Sequence, residues 1–185
     1  RKTNINKIAN NHYVMKVVLY MAQTINGIIA RNNYDEDFLS HENWKVFLSL
    51  VKEIGCFVVG RKTYEEVKKW KEYNFDKIKA TKIIISSNPD FKLERDYILA
   101  ISPKDAIKKA SELGFEKILL TGGGTINSAF MKNRLVDEII IDIEPYVLGD
   151  GIRIFSQEDF ENKLKLLDVK KLKSGIIQLH YKVIK

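Results

Sequence analysis

Lys117-Ile118-Leu119-Leu120-Thr121-Gly122-Gly123-Gly124-Thr125-Ile126-Asn127-Ser128-Ala129-Phe130-Met131 is the stretch on which the fold turns. Its first part, Lys117 to Thr121, is a short, continuously apolar run, the pattern of a strand covered on both faces. Three glycines follow at once. Thr125 to Met131 then predicts a helix that turns Ile126, Ala129 and Phe130 inward. Strand, glycines, helix is a unit of parallel α/β architecture, in which ligands collect at the carboxyl ends of the strands.

The same alternation extends toward the N-terminus. Cys56 to Gly60 is a second short apolar run handing over to a helical stretch, Lys62 to Lys69. Lys82 to Ser86 and Tyr97 to Ile101 read as strands. Ser102-Pro103-Lys104-Asp105 opens a helix as N-cap, N1 proline and N3 acid, and Gly114 closes it. Further upstream, Met15 to Ala22 is rich in β-formers, and Asn26-Gly27 marks a turn before Ile28-Ile29-Ala30. Ser40 is placed to cap a helix in which Trp44, Phe47, Leu48 and Val51 recur at i, i+3, i+4 and i+7, with Gly55 at its end. Downstream, Glu138 to Glu144 and Leu164 to Tyr181 lack helical period and enclose the turns Gly149-Asp150-Gly151 and Ser174-Gly175, so the C-terminal third is expected to be antiparallel sheet.

Size and composition bound the function. A chain of 185 residues with 45% hydrophobic and 10% aromatic content supports one core, so residues 15–185 are read as a single domain and residues 1–14 as a disordered tail. No run of about eighteen apolar residues is present, which argues against a membrane partner and for a cytoplasmic protein. The formal charge of +7 raises the question of nucleic acid, but lysines are spread along the chain and alternate with acids, as in Glu65-Glu66-Val67-Lys68-Lys69, so a solvated helix face is the better reading. The single cysteine, Cys56, lies in an apolar strand and is expected to be structural. His12, His41 and His180 are isolated, so no metal site is expected.

Three turns at strand ends could serve a ligand. Gly122-Gly123-Gly124-Thr125 lets backbone amides approach a pyrophosphate, although position 127 is Asn and the dinucleotide fingerprint is incomplete. Gly60-Arg61-Lys62-Thr63 offers two cations and a hydroxyl, and Ser86-Ser87-Asn88 offers further donors. Among the acids, Asp142 interrupts the apolar run Ile139-Ile140-Ile141-Asp142-Ile143, where a buried charge needs a partner or a task; the alternative is an edge strand with Asp142 in solvent. Glu144 is expected at the surface.

Taken in order, Met21 through Ala30, Gly60-Arg61-Lys62-Thr63-Tyr64-Glu65, Ile83 through Pro89, Gly122-Gly123-Gly124 and Leu135 through Gly151 resemble the dihydrofolate reductase superfamily, over roughly residues 15 to 184. The glycine triplet and the Leu-Gly-Asp-Gly turn look most like the reductase domain of the riboflavin-biosynthesis deaminase-reductase. Gly-Arg-Lys-Thr-Tyr-Glu and Ile-Ser-Ser-Asn-Pro look more like dihydrofolate reductase.

The resemblance implies a three-layer fold with a mostly parallel central sheet and an antiparallel C-terminal hairpin. It also implies an NADPH-dependent oxidoreductase acting on a small pterin or pyrimidine, as a monomer or homodimer. Ala22 and Ile29 would flank the nicotinamide. Gly60, Arg61, Lys62 and Thr63 would hold phosphates, Ser86 and Ser87 would lie near the 2′-phosphate, and Gly122, Gly123, Gly124 and Thr125 near the pyrophosphate. Catalytic acids would be sought among Asp37, Glu42 and Asp142, with Trp44, Phe47 and Leu48 forming the substrate wall. In place of the arginine that dihydrofolate reductases set before the Ile-Ile-Ser-Ser strand stands the lysine-rich stretch Lys77 to Lys82. Dihydrofolate reduction is the leading expectation. Reduction of a ribosylaminopyrimidine phosphate and a non-catalytic nucleotide-binding module are its alternatives.

Overall fold

A computed structural model describes residues 15–185, so the expected tail at residues 1–14 lies outside the described residues. Within them, strands β1 (Lys16–Thr24), β3 (Cys56–Gly60), β4 (Thr81–Ile85), β5 (Ile98–Ala100), β6 (Lys117–Leu120), β7 (Glu138–Glu144), β9 (Lys163–Lys171) and β10 (Ile177–Ile184) form one sheet. Their order is β5-β4-β3-β6-β1-β7-β10-β9. From β5 to β7 every pairing is parallel, and β10 runs antiparallel to both β7 and β9. The small strands β2 (Ile28–Ala30) and β8 (Ile152–Arg153) pair apart from this sheet.

The apolar runs are continuous because the central strands are covered on both sides. Val17, Leu19, Val58, Ile83, Ile118 and Leu120 pack with Ala106 and Ala110 of α3 (Pro103–Glu112) and with Phe130 and Met131 of α4 (Gly124–Lys132). On the other face Val18, Tyr20, Phe57, Val59, Ile84 and Leu119 meet Phe47 and Val51 of α1 (His41–Ile54) and Tyr64 and Val67 of α2 (Arg61–Val67). Alternation along each strand thus builds the three expected layers. Cys56 is fully buried, and burial pushes its thiol up to about 12, as expected of a structural cysteine.

Several local expectations need correction. The interior stripe of α4 includes Asn127 and Ser128, whose side chains donate to the backbone carbonyls of Ile154 and Ser156. Residues at Ser40 and Ser102 both precede helices, but only Ser102 caps with its side chain, accepting from the Asp105 N–H at 3.1 Å. Strand β7 is interior to the sheet, so Asp142 is not on an edge.

Gly124 lies where α4 meets the backbone of Arg153, and a Cβ there would collide with the Arg153 carbonyl oxygen. Gly124→Ala is therefore expected to cost about 1–3 kcal/mol. Chemical denaturation measures this loss.

Candidate functional site

Parallel pairing brings the carboxyl ends of β1, β3, β4 and β6 side by side, and the three turns emerge together there. The Gly60 N–H donates to the Gly122 carbonyl at 2.8 Å, and the Thr121 N–H donates to that of Val58 at 2.9 Å. A Cβ on Gly123 would stand 3.1 Å from Thr63 Oγ1, a tight contact, so the glycine lets the two turns approach closely; both residues line the slot between them. Arg61 spans the start of α2, bonding Glu65 at 3.1 Å with its guanidinium over Phe91, which accounts for a base at that helix end. Lys62 and Ser87 are exposed. Ser86 is buried, and its Oγ accepts from the Asn88 N–H, so only its neighbour faces outward. Thr125 is exposed beside Ser156.

Below this slot a cavity of about 440 Å³ opens between β1 and α1. Ala22, Ile29, Thr63 and Gly123 line one side, while Trp44, Phe47, Trp70, Tyr73 and Phe75 give it an aromatic wall. Asp37 lies at its rim, paired with Arg31 at 2.6 Å. Two expected residues do not reach it. Glu42 points elsewhere on the first turn of α1, 3.6 Å from Lys45. Leu48 is 37% exposed and lines a second cavity instead, because its position on α1 is rotated past the face that meets β1.

The second cavity measures about 660 Å³ and shares His41, Trp44 and Tyr73 with the first. Lys52, Lys71, Lys77 and Lys79 line it, against a single acid, Glu72. The lysine-rich stretch before β4 therefore forms part of a basic annex to the aromatic cavity.

Two carboxylates of β7 lie beneath the cavity floor. Asp142 is fully buried and does not line the cavity; Tyr20 stands between. Gln178 Nε2 donates to Asp142 Oδ1 at 2.8 Å. Tyr20 Oη lies 2.8 Å from Asp142 Oδ2 and 3.0 Å from the Asn43 carbonyl oxygen. A phenol has one hydrogen, so it satisfies both oxygens only when Asp142 is itself protonated and donates to Tyr20. Burial outweighs the opposing hydrogen bonds from Gln178 and Tyr20 and, with the charges of Glu144 and Glu42 adding to it, holds the Asp142 carboxyl above its ordinary range. Tyr20 is likewise raised, by burial first and then by Asp142.

Glu144 is 2% exposed and corrects the expectation of a surface residue. Its Oε1 accepts from the Ser40 N–H at 2.7 Å and from the Asn43 amide. This carboxylate serves the helix start that the Ser40 side chain leaves uncapped. Other residues that sequence reasoning missed are Tyr20, Asn43 and Glu36, all on the cavity. The run Asp35-Glu36-Asp37 was a visible signal, but which acid turns inward depends on a loop that passes through positive φ at Tyr34.

Comparison with known proteins bears on the two branches. The family model described as the RibD C-terminal domain matches residues 15–178. The chain belongs to the RibD C-terminal domain family. It is 31% identical over 172 residues to protein YwjB of Bacillus subtilis (strain 168), covering 90% of this chain and 97% of YwjB.

Solved structures share the fold, two of them as follows. One is the diaminohydroxyphosphoribosylaminopyrimidine deaminase/5-amino-6-(5-phosphoribosylamino)uracil reductase of Thermotoga maritima (TM-score 0.73, 15% identity), of which 92% of this chain matches 57% of that one. The other is dihydrofolate reductase from Enterococcus faecalis complexed with NADP(H) (TM-score 0.66, 17% identity, 92% of this chain and 97% of that one). Family and fold identify the protein as a RibD-like, dihydrofolate-reductase-like oxidoreductase. The family membership favours the riboflavin-type branch over the expected dihydrofolate reduction. Among the described residues no helix is long and apolar enough to cross a membrane, and no group of three or more potential metal ligands occurs.

The raised Asp142 carboxyl has a consequence for stability. Folding raises its pKa, so the native state keeps a proton that the unfolded chain releases above about pH 3.9. Its contribution is greatest below that pH and declines as pH rises toward the folded value. Asp142→Asn, which can donate to Tyr20 and accept from Gln178, should therefore be at least as stable as the parent at pH 7. That advantage should shrink toward pH 4. Asp142→Ala, which strands both partners, should lose about 1–3 kcal/mol. Denaturant melts across pH compare the three proteins.

Proposed function

We propose that this protein reduces a ribosylaminopyrimidine phosphate with NADPH, adding hydride to an imine-type carbon of the sugar–pyrimidine linkage. The observation that carries this reading is the pairing of two cavities across His41, Trp44 and Tyr73, one aromatic and one lined by lysines. A flat heterocycle with an anionic tail has that shape and charge distribution. The family membership supports it, as does the printed substrate of the Thermotoga protein, a phosphoribosylaminopyrimidine.

The residues present fit NADPH. Gly123 lines the cavity where a pyrophosphate would approach the backbone, with Gly122, Gly124 and Thr125 around it, and Arg61, Lys62 and Thr63 on the neighbouring turn would serve as phosphate donors. Gly60 keeps that turn close to the glycine triplet. Ser87, exposed on a turn that Ser86 shapes, would read a 2′-phosphate. When bound, the cofactor supplies a hydride donor. Ala22 and Ile29 provide an apolar surface against the nicotinamide, and Trp44 and Phe47 exclude water from the opposite side. Asp37 at the rim orients the entering substrate. Asp142 acts through Tyr20, holding its hydroxyl in place beneath the floor.

NADPH oxidation should occur with 5-amino-6-(5-phosphoribosylamino)uracil and be far weaker with dihydrofolate or with NADH. Lys77→Ala combined with Lys79→Ala should raise KM about tenfold or more for the phosphorylated substrate, the loss of charge-assisted contacts worth about 1.5–3 kcal/mol, with little change in kcat. The dephosphorylated substrate should show no such change. Equal effects on both substrates would remove the tail-binding role from the lysine cavity.

A further inference from the structure

The loop ahead of α1 carries three consecutive acids, Asp35, Glu36 and Asp37, and all three line the aromatic cavity. Their partners differ. Arg31 reaches Asp37 at 2.6 Å and Asp35 at 3.8 Å, with its guanidinium over the Phe38 ring. The half-buried Glu36 side chain has no hydrogen bond or ion pair among the described residues. Its peptide is nevertheless pinned, because its carbonyl accepts from the Leu39 N–H at 2.9 Å.

A second feature of the same cavity points independently to a ligand. Asn43 is 5% exposed and lines the cavity, yet its Oδ1 has no partner, and Ser40 Oγ is in the same state. The Asn43 amide cannot turn over to relieve this, since Glu144 holds its Nδ2. The cavity thus contains a fixed acceptor, a free hydroxyl and an unpaired acid. A heterocycle bearing an N–H beside an acceptor nitrogen would satisfy them together.

We infer that Glu36 is the proton-holding acid of this site, protonated at the cavity wall and donating to the nitrogen that is reduced. The inference rests on the reductase reading above. Hydride adds to the carbon of the C=N bond, the π pair moves to nitrogen, and nitrogen takes the proton from Glu36. Glu36 is left as a carboxylate that solvent reprotonates, and NADPH is left as NADP⁺.

Burial, with the Asp35 charge second, pushes the Glu36 carboxyl up to about 8, so it keeps its proton at neutral pH. The titratable groups that share the cavity with it are Asp35 and Asp37 on its loop, His41 on α1, Tyr20 on β1 and Tyr73 after α2, with Arg31 on the loop and Asp142 and Glu144 behind on β7. Of the two that can be positive, Arg31 is engaged by Asp37, and His41 is bonded to the Tyr73 hydroxyl at 3.2 Å. Neither is committed to Glu36.

The test has two arms. Carboxyl-detected NMR of the intact protein, without substrate, should show one glutamate titrating near 8 that vanishes in Glu36→Gln. With NADPH and 5-amino-6-(5-phosphoribosylamino)uracil, kcat/KM should fall as pH rises through about 8, because the required form is the protonated one. Glu36→Gln should lose about 10²-fold or more in turnover and lose that alkaline limb. Glu36→Asp should restore part of both, and Asp37→Asn should retain the limb. An ordinary titration near 4, or an unchanged limb in Glu36→Gln, overturns the inference. If the parent protein fails to oxidise NADPH when given that substrate, the proposed function falls instead, and the NMR arm still decides where the proton resides.

Discussion

The bond between Glu144 and the start of α1 is the constraint on which the site depends. A carboxylate at the end of an interior strand accepts from the Ser40 N–H and the Asn43 amide, and so fixes where the helix begins above the sheet. Everything that α1 brings to the cavity is referred to that point. Asn43, Trp44 and Phe47 fall on the cavity because the helix starts at His41 and not a residue earlier or later; a shift of one residue would rotate the aromatic wall by about 100°. The loop of residues 31–39 is also placed by it, since its far end is tied to the same carboxylate.

The two β7 acids divide the electrostatic work. Both lie on one face of an interior strand, two residues apart, where two bare charges would be costly. The geometry separates their roles: Glu144 receives N–H donors from α1, whereas Asp142 has a phenol that can face both its own carboxyl and a backbone carbonyl. A proton on Asp142 completes the chain of donors and acceptors and removes one of the charges. The network therefore braces the cavity floor while leaving catalysis to groups that touch the ligand.

How much was legible in the sequence follows from which forces act locally. Apolar runs such as Ile118-Leu119-Leu120 and helix punctuation such as Ser102-Pro103 are local, and they foretold the strands, helices and layers. The convergence of the three turns followed from parallel pairing alone. The acids were harder. Glu144 looks like a strand-end surface residue until α1 is placed over it, a packing 104 residues distant in sequence. Glu42 has the spacing of a helix-start acid, but spacing does not tell which side of that helix faces the cavity. Glu36 was hidden among three adjacent acids because the choice between them is made by Arg31 and by an irregular loop. Leu48 was misread because a helical stripe is wider than the strip that lines a ligand.

The glycine triplet shows why motif and mechanism should be kept apart. At Gly122 the backbone has φ +91°, and a Cβ would meet Met21 Sδ at 3.0 Å; at Gly124 a Cβ would meet the Arg153 backbone. Both positions are explained by packing without any ligand. Only Gly123 differs, since the atom that limits it is Thr63 Oγ1, a polar group on the neighbouring turn. Two glycines thus bring β6 and α4 close to their neighbours, and the third lets the turn carrying Thr63 approach at the cavity edge. A side chain at Gly123 would press on Thr63, which lines the cavity with it, so this glycine has the most direct claim to a role in binding.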